Sequence, residues 1–299
     1  MKLGTKNVTK EHNPQSIKYP NIRDIIIPMV PLLEFTDIER YYSVWSNSER
    51  SIPDDLIPLR DKKVEALIAR NAKATNNEAL ALNKFITTPN SFTAYYEPTH
   101  YFSFVGTHLA LDEKLQSGLT VRQKFGDLEE MVTEKGYTSN QYAKMVGVSN
   151  VILTNDNKII LQQRSQKTAV VPGQMHVSLA EGMKKKDVDN KGYINPLITA
   201  KRGMREELES DKENSESKVL ALGISREFLQ PEFVVLTEIN QSSKDLLKIA
   251  QKARGQWERF SISAENFDLQ TIENLLKENI WSPHAQFALY EVLKAKKLL

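Results

Sequence analysis

Hydrophobic and polar positions are most regular in the second half of the chain. Val146 to Thr154 is a β-branched run, Asn155-Asp156-Asn157 supplies turn chemistry, and Lys158 to Gln163 resumes as a strand. Gln163-Arg164-Ser165 leads into a loop holding Pro172-Gly173. Met175 to Leu179 reads as another strand, ending at Ala180-Glu181-Gly182, and a polar insertion follows over Lys184 to Tyr193. Asn195-Pro196 offers an N-cap and a proline at the first helical position. The predicted helix, Pro196 to about Glu209, carries Leu197, Ala200, Met204 and Leu208 on one stripe. Val219 to Ile224 and Phe233 to Ile239 read as strands, and Thr271 to Lys277 as a helix. Ser282-Pro283 opens a closing helix to Leu298, whose Lys294, Lys296 and Lys297 oppose the negative end of its dipole.

The first half has a different texture. Its first twenty residues are polar and read as an irregular lead-in. Thr36 to Ser46 reads as a short helix. Asp61 to Lys73 reads as a longer one, with Val64, Leu67 and Ile68 spaced by three and four. Asn76 or Asn77 caps a further predicted helix carrying Leu80, Leu82 and Phe85. Around Tyr95 to Leu111, alternation of Tyr101, Ser103 and Val105 with Phe102 and Phe104 predicts a strand. Asp127 to Lys135 reads as a short helix stopped by Gly136. The pattern divides the chain into a smaller α+β region, 1–140, and a second domain, 141–299.

Composition narrows the function classes. The chain has 299 residues, 40% of them apolar, with a formal net charge of +2, so no excess of Lys and Arg points to nucleic acid. With no cysteine, disulfides, thiolate zinc sites and a Cys nucleophile are excluded. The most apolar stretch, Ile25 to Leu33, is too short for a bilayer and holds two prolines. No apolar core follows the N-terminal lysines, so a cytoplasmic protein without membrane attachment is expected. A homodimer is left open.

Candidate chemistry concentrates in Thr199 to Glu209. Arg202, Glu206 and Glu207 share a helix that follows a strand and a loop, and an arginine at i, i+4 can hold Glu206. Hard divalent cations take carboxylate oxygens plus substrate phosphates, which suits a pyrophosphate site. On spacing alone, a solvated charged face is the commoner reading.

The stretch Val146 to Leu208 resembles a Nudix hydrolase core. In that resemblance Gly182 is the opening glycine of the family's box, Arg202 its arginine, Met204 the apolar position, and Glu206-Glu207 its Glu-Glu pair. Leu161-Gln-Gln-Arg-Ser165 and His176 to Gly182 resemble the strands that precede the box. There are departures. An insertion lengthens the loop, Ile194 stands at the early glutamate position, Gly203 replaces the glutamate after the arginine, and Glu209 stands at the late glycine. Asp187 and Asp189 are candidates to replace the early acid. A second register, with Arg205-Glu206 as the Arg-Glu pair, places Glu207 at the apolar position and Ser210 at the last acid. The buried stripe through Met204 favours the first register.

The resemblance implies an α+β fold: a Nudix-like α/β/α sandwich with a mixed sheet, preceded by a smaller α+β N-terminal domain. It implies a metal-dependent hydrolase cleaving the pyrophosphate bond of a small diphosphate compound, nucleotide-linked or cofactor-like. Mg²⁺ or Mn²⁺ would sit on Glu206, Glu207 and the Ala180 carbonyl. Arg202 would orient the glutamates and Glu181 would take a proton, replacing the lost acid or serving as a strand-end cap. Arg164 and Lys167 would clamp a substrate phosphate. Gly203 keeps two other classes open: a Nudix-fold ligand-binding or regulatory protein without catalysis, and isomerase-type chemistry on a diphosphate. His176 reads as a satisfied strand histidine, Lys184 to Lys186 as a solubilising or steering run, and Glu232 as a supplementary acid.

Overall fold

The computed structural model describes residues 18–49, 51–71, 74–133, 136–140, 142, 145–209, 215–253 and 259–299. Most of the N-terminal lead-in, the ends of two expected helices at Lys73 and Lys135, and Ser210 lie outside the described residues.

In chain order the elements begin with the short hairpin β1 (Asn21–Ile22) and β2 (Ile25–Ile26), then β3 (Met29–Glu34) and β4 (Arg40–Trp45). Next come α1 (Ile57–Arg70), β5 (Glu78–Thr88), β6 (Ser91–His100), α2 (Tyr101–Thr107), α3 (Val121–Phe125), α4 (Leu128–Met131), β7 (Val132–Thr133) and β8 (Gly136–Tyr137). The second half contains β9 (Gly147–Thr154), β10 (Lys158–Arg164), β11 (Met175–Val177), β12 (Leu179–Gly182), α5 (Pro196–Leu208), β13 (Ser215–Ser225) and β14 (Pro231–Ile239). It closes with α6 (Ser243–Ala250), β15 (Arg259–Asn266), α7 (Leu269–Glu278) and α8 (Pro283–Ala295).

The main sheet is mixed, running β11-β10-β9-β14-β13-β3, with β12 also on β9 and β15 also on β10. Only the β9–β14 pairing is parallel in it; the other pairings are antiparallel. Its central strands are buried on both faces, and side-chain alternation sorts their residues into two layers. Val151, Leu153, Ile159 and Leu161 pack with Ile272, Phe287, Leu289 and Val292 of α7 and α8. Ile152 and Ile160, one position out of phase, pack with Met204 and Leu208 of α5 and Leu246 and Ala250 of α6. The result is the expected α/β/α sandwich.

The N-terminal region is also α+β, but several of its elements differ from expectation. Thr36 to Ser46 is not a helix; Arg40–Trp45 is β4, paired in parallel with β6. The segment carrying Leu80, Leu82 and Phe85 is β5, antiparallel to β6, because Ala79 to Leu82 all bury and a helix would expose some of them. The aromatic run divides: β6 ends at His100, and Tyr101–Thr107 is the helix α2, not a strand. Only Leu128–Met131 of the Asp127 helix is helical, capped by the Asp127 side chain, before the chain turns into β7.

This three-stranded sheet, β4-β6-β5, does not stand apart. Leu80, Phe92 and Tyr96 share one cluster of buried side chains with Val146, Val148, Phe233 and Val235 of the main sheet. The region before residue 140 also supplies β3, the edge strand on β13.

Candidate active site

Asn195 caps α5 as its sequence predicts, its side chain accepting from Leu197 N at 2.9 Å, with Pro196 in the first turn. About two turns past the cap, Arg202 is 4% exposed and is the hub of an ionic cluster. Its Nε and Nη2 donate to the two carboxylate oxygens of Asp187, at 2.9 and 3.1 Å. Nη1 donates to Glu181 Oε2 at 2.5 Å and reaches Glu206 Oε2 at 3.5 Å. Nη2 also donates to the Gly182 carbonyl at 2.8 Å.

Asp187 is 1% exposed, and it also accepts from Thr199 Oγ1 and from Lys184 N. Burial alone would raise its pKa; the Arg202 hydrogen bonds outweigh that and hold its carboxyl below the usual range. Against the opposing effect of its burial, Asp187 and Glu181 in turn keep the guanidinium protonated more firmly than usual. One guanidinium therefore faces three carboxylates. The balance is negative, and exposed Lys186, whose Nζ is 3.7 Å from Glu206, relieves part of it. Of the two candidate replacements for the early acid, Asp187 meets the arginine. Asp189 instead accepts from Lys191 N and Tyr193 N inside the insertion's turn.

Gly203 has a steric reason. A Cβ built there lies 2.8 Å from Glu181 Cγ. The room left by the missing side chain on α5 is filled from β12, whose Glu181 carboxylate reaches Arg202 across it.

Glu206 and Glu207 part company. Adjacent helical residues point about 100° apart. Glu206 is half exposed beside Arg202, whereas Glu207 is 5% exposed. It lies near Arg259, whose guanidinium donates to the Glu207 carbonyl at 3.1 Å and feels its charge.

Beside the cluster opens a cavity of about 220 Å³. Ala180, Glu181 and Gly182 of β12 line it, with Gly147, Arg164, His176, Gln230, Glu232 and His284. The opposite wall comes from the N-terminal region, including Leu67, Asn71, Thr75, Glu78 and Tyr101. Arg202, Glu206 and Glu207 do not line it. Arg164 does, as does Lys184, both half-buried. Lys167 is exposed and sits outside the lining, its backbone N–H turned to Ser165 Oγ. Glu232 is 3% exposed; Ser149 Oγ donates to it at 2.7 Å, and burial pushes its carboxyl up to about 8. A Cβ on Gly147 would fall 1.9 Å from Glu232 Oε2, so that glycine admits the carboxyl.

Sequence reasoning named Arg202, Glu206, Glu181, Ala180, Arg164 and Glu232. It did not single out His284 or Gln230 as cavity residues. His284 follows the Ser282-Pro283 cap, which fixes where its helix starts but not what its first turn faces. Among the described residues, no group of three or more His, Cys, Asp or Glu side chains converges as a metal site. Glu181 and Glu206, two of the three carboxylates on Arg202, are nonetheless hard oxygen donors in a cluster with negative charge in excess. They fit a divalent cation of the kind that one or two carboxylates hold and substrate phosphates complete.

No family model matches the chain, and no curated protein matches it. Solved structures do. DR0079 from Deinococcus radiodurans is similar at 13% identity and TM-score 0.37, over 55% of this chain and 96% of that one. The NUDIX domain of Shewanella oneidensis NrtR, complexed with ADP ribose, is similar at 15% identity and TM-score 0.34, over 52% and 89%. RenU, a Nudix hydrolase from M. smegmatis, is similar at 12% identity and TM-score 0.34, over 56% and 93%. No helix among the described residues is long and apolar enough to cross a membrane.

Proposed function

We propose that the chain is a Nudix-type hydrolase acting on a small diphosphate compound at the Glu181 side of the cavity. The observation that carries this reading is the replacement of one acid by another: Gly203 leaves room, Glu181 fills it, and Arg202 ties Glu181 to Glu206. Glu206, with the Ala180 carbonyl, would hold Mg²⁺ or Mn²⁺, which supplies charge neutralisation on the phosphates and a more acidic water. Arg202, itself locked by Asp187, orients the carboxylates. Glu181 Oε1, the oxygen not bonded to Arg202, takes the proton of the attacking water. Arg164 and Lys184 meet the phosphates. The N-terminal region, 1–140, acts with the domain 141–299 by walling the cavity and selecting the ligand.

A second reading, a ligand-binding module without catalysis, is favoured by the placement of Glu207 near Arg259 and away from the cavity. One experiment separates the two. The purified chain is incubated with Mg²⁺ or Mn²⁺ and a panel of nucleoside and cofactor diphosphates, alongside Glu181→Gln and Glu206→Gln. Turnover that both variants lose supports the hydrolase. Ligand-induced stabilisation with no turnover supports the binding module, and rearranged product without released phosphate supports isomerase chemistry.

A further inference from the structure

A second cavity, of about 880 Å³, shares no lining residue with the candidate active site. It lies where β3, β4, the insertion before α5, β13 and α8 meet, and its size is that of a small-molecule site. Tyr42 of β4 and Tyr193 of the insertion line it, their rings edge to face with centroids 5.3 Å apart.

Glu291 of α8 also lines this cavity, yet it is 3% exposed. Its Oε1 is buried with no hydrogen-bond partner among the described residues. Lys294, one turn on, donates to Glu34 instead. Burial pushes the Glu291 carboxyl up to about 7, against the pull of the Lys294 charge. A buried acid left in this state costs stability, and only a donor entering from the cavity would satisfy it.

The rim has the opposite character. Arg40, Lys191, Lys218 and Lys297 line the cavity, all exposed, and no described residue pairs with their side chains. Of the acids beside them, Glu34 is held by Lys294, and Asp189 accepts from Lys191 N and Tyr193 N. Only Glu39 remains to oppose four cations. A simple anion would suit this rim but leave Glu291 unsatisfied; an ammonium ion would satisfy Glu291 but be repelled at the rim. A ligand with an N–H-bearing ring at one end and a phosphate at the other meets both demands.

We infer that this second cavity is a nucleotide-binding site, separate from the candidate active site. The base packs against Tyr42 and Tyr193 and donates an N–H to Glu291, and the rim cations meet the phosphate. The inference is independent of hydrolysis.

The test titrates the full chain with AMP, GMP, CMP and UMP, none of which holds a diphosphate bond, and with sodium phosphate. Calorimetry and thermal melting are read at constant ionic strength. At least one nucleotide binds saturably, about 10-fold or more tighter than phosphate alone. The double variant Arg40→Gln/Lys297→Gln and the variant Glu291→Leu each weaken that binding by about 10-fold or more. Arg164→Gln, in the other cavity, keeps it. Melting without nucleotide checks folding, and Glu291→Leu melts at or above the parent temperature because it removes a buried unpaired carboxyl. Nucleotide binding no tighter than phosphate overturns the inference. So does binding that Arg164→Gln abolishes and the other variants keep, which would seat the nucleotide in the first cavity. Binding here without diphosphate turnover removes only the hydrolase reading; turnover without monophosphate binding removes only this inference.

Discussion

Replacing Gly203 by alanine sets two effects of opposite sign against each other. In mid-helix, alanine is favoured over glycine by about 1 kcal/mol. Against that, the new Cβ lies 2.8 Å from Glu181 Cγ, inside ordinary contact distance. Glu181 cannot simply swing aside: its Oε2 is held at 2.5 Å by Arg202, and its backbone is paired to Val148 of β9. Overpacking costs roughly 1–3 kcal/mol, and a loosened charge-assisted hydrogen bond adds to it. Gly203→Ala is therefore expected to lower stability by about 1–2 kcal/mol. In the Glu181→Ala background the obstacle is gone, and the same substitution should raise stability by about 1 kcal/mol. The assay is a urea-denaturation cycle of the four proteins, read from midpoints at constant slope. If Gly203→Ala stabilises both backgrounds equally, Glu181 does not occupy the room at Gly203, and the acid-replacement argument fails.

Asp187→Ala should cost about 3–5 kcal/mol in urea denaturation, because it leaves the buried Arg202 without its two-bonded partner. Asp187 titrates below its usual value in the folded chain, so its contribution is present above about pH 4 and lost as pH falls. The acid limb of the stability curve should be shallower in Asp187→Ala. Glu232 behaves in the opposite sense. With a folded pKa of about 8, it stays protonated where the unfolded chain has ionised, so its contribution is full below about pH 4.5 and declines as pH rises to about 8. Relative to the parent, Glu232→Gln should gain up to about 1.4 kcal/mol per pH unit across that window, measured by denaturation at several pH values. A flat difference would show that the carboxyl ionises normally. Gly147→Ala, whose Cβ would overlap Glu232 Oε2, should displace that carboxyl and destabilise the chain by more than a surface substitution does, about 0.5 kcal/mol at most.

How much of this was legible in the sequence depended on whether the signal was local. Strands β9 to β14 of the main sheet and α5 were readable because their alternation and their cap lie within a few residues, as with Asn195-Pro196, whereas its β3 and β15 were not read as strands. The N-terminal strands mimic helices for identifiable reasons. In β5 the pairing register shifts between Leu82 and Lys84, so Leu80, Leu82 and Phe85 all pack on one cluster despite the three-residue step. Before and within β4, Ile38, Tyr41 and Trp45 pack on the same cluster at helical spacing, although only the last two belong to the strand. The site divides the same way. Arg202 and Glu206 are one helical turn apart, and their contact could be read from spacing. The choice of Asp187 over Asp189 depends on how the insertion folds back over Thr199, which no local pattern encodes. Glu206 and Glu207 look equivalent in the sequence, but a rotation of about 100° sends one toward Arg202 and the other toward Arg259. Glu181 was named as a replacement for a lost acid, but its fit to position 203 was not readable from spacing, because it arrives from a strand 22 positions earlier in the chain, and only packing reveals that Glu181 and Gly203 form one unit.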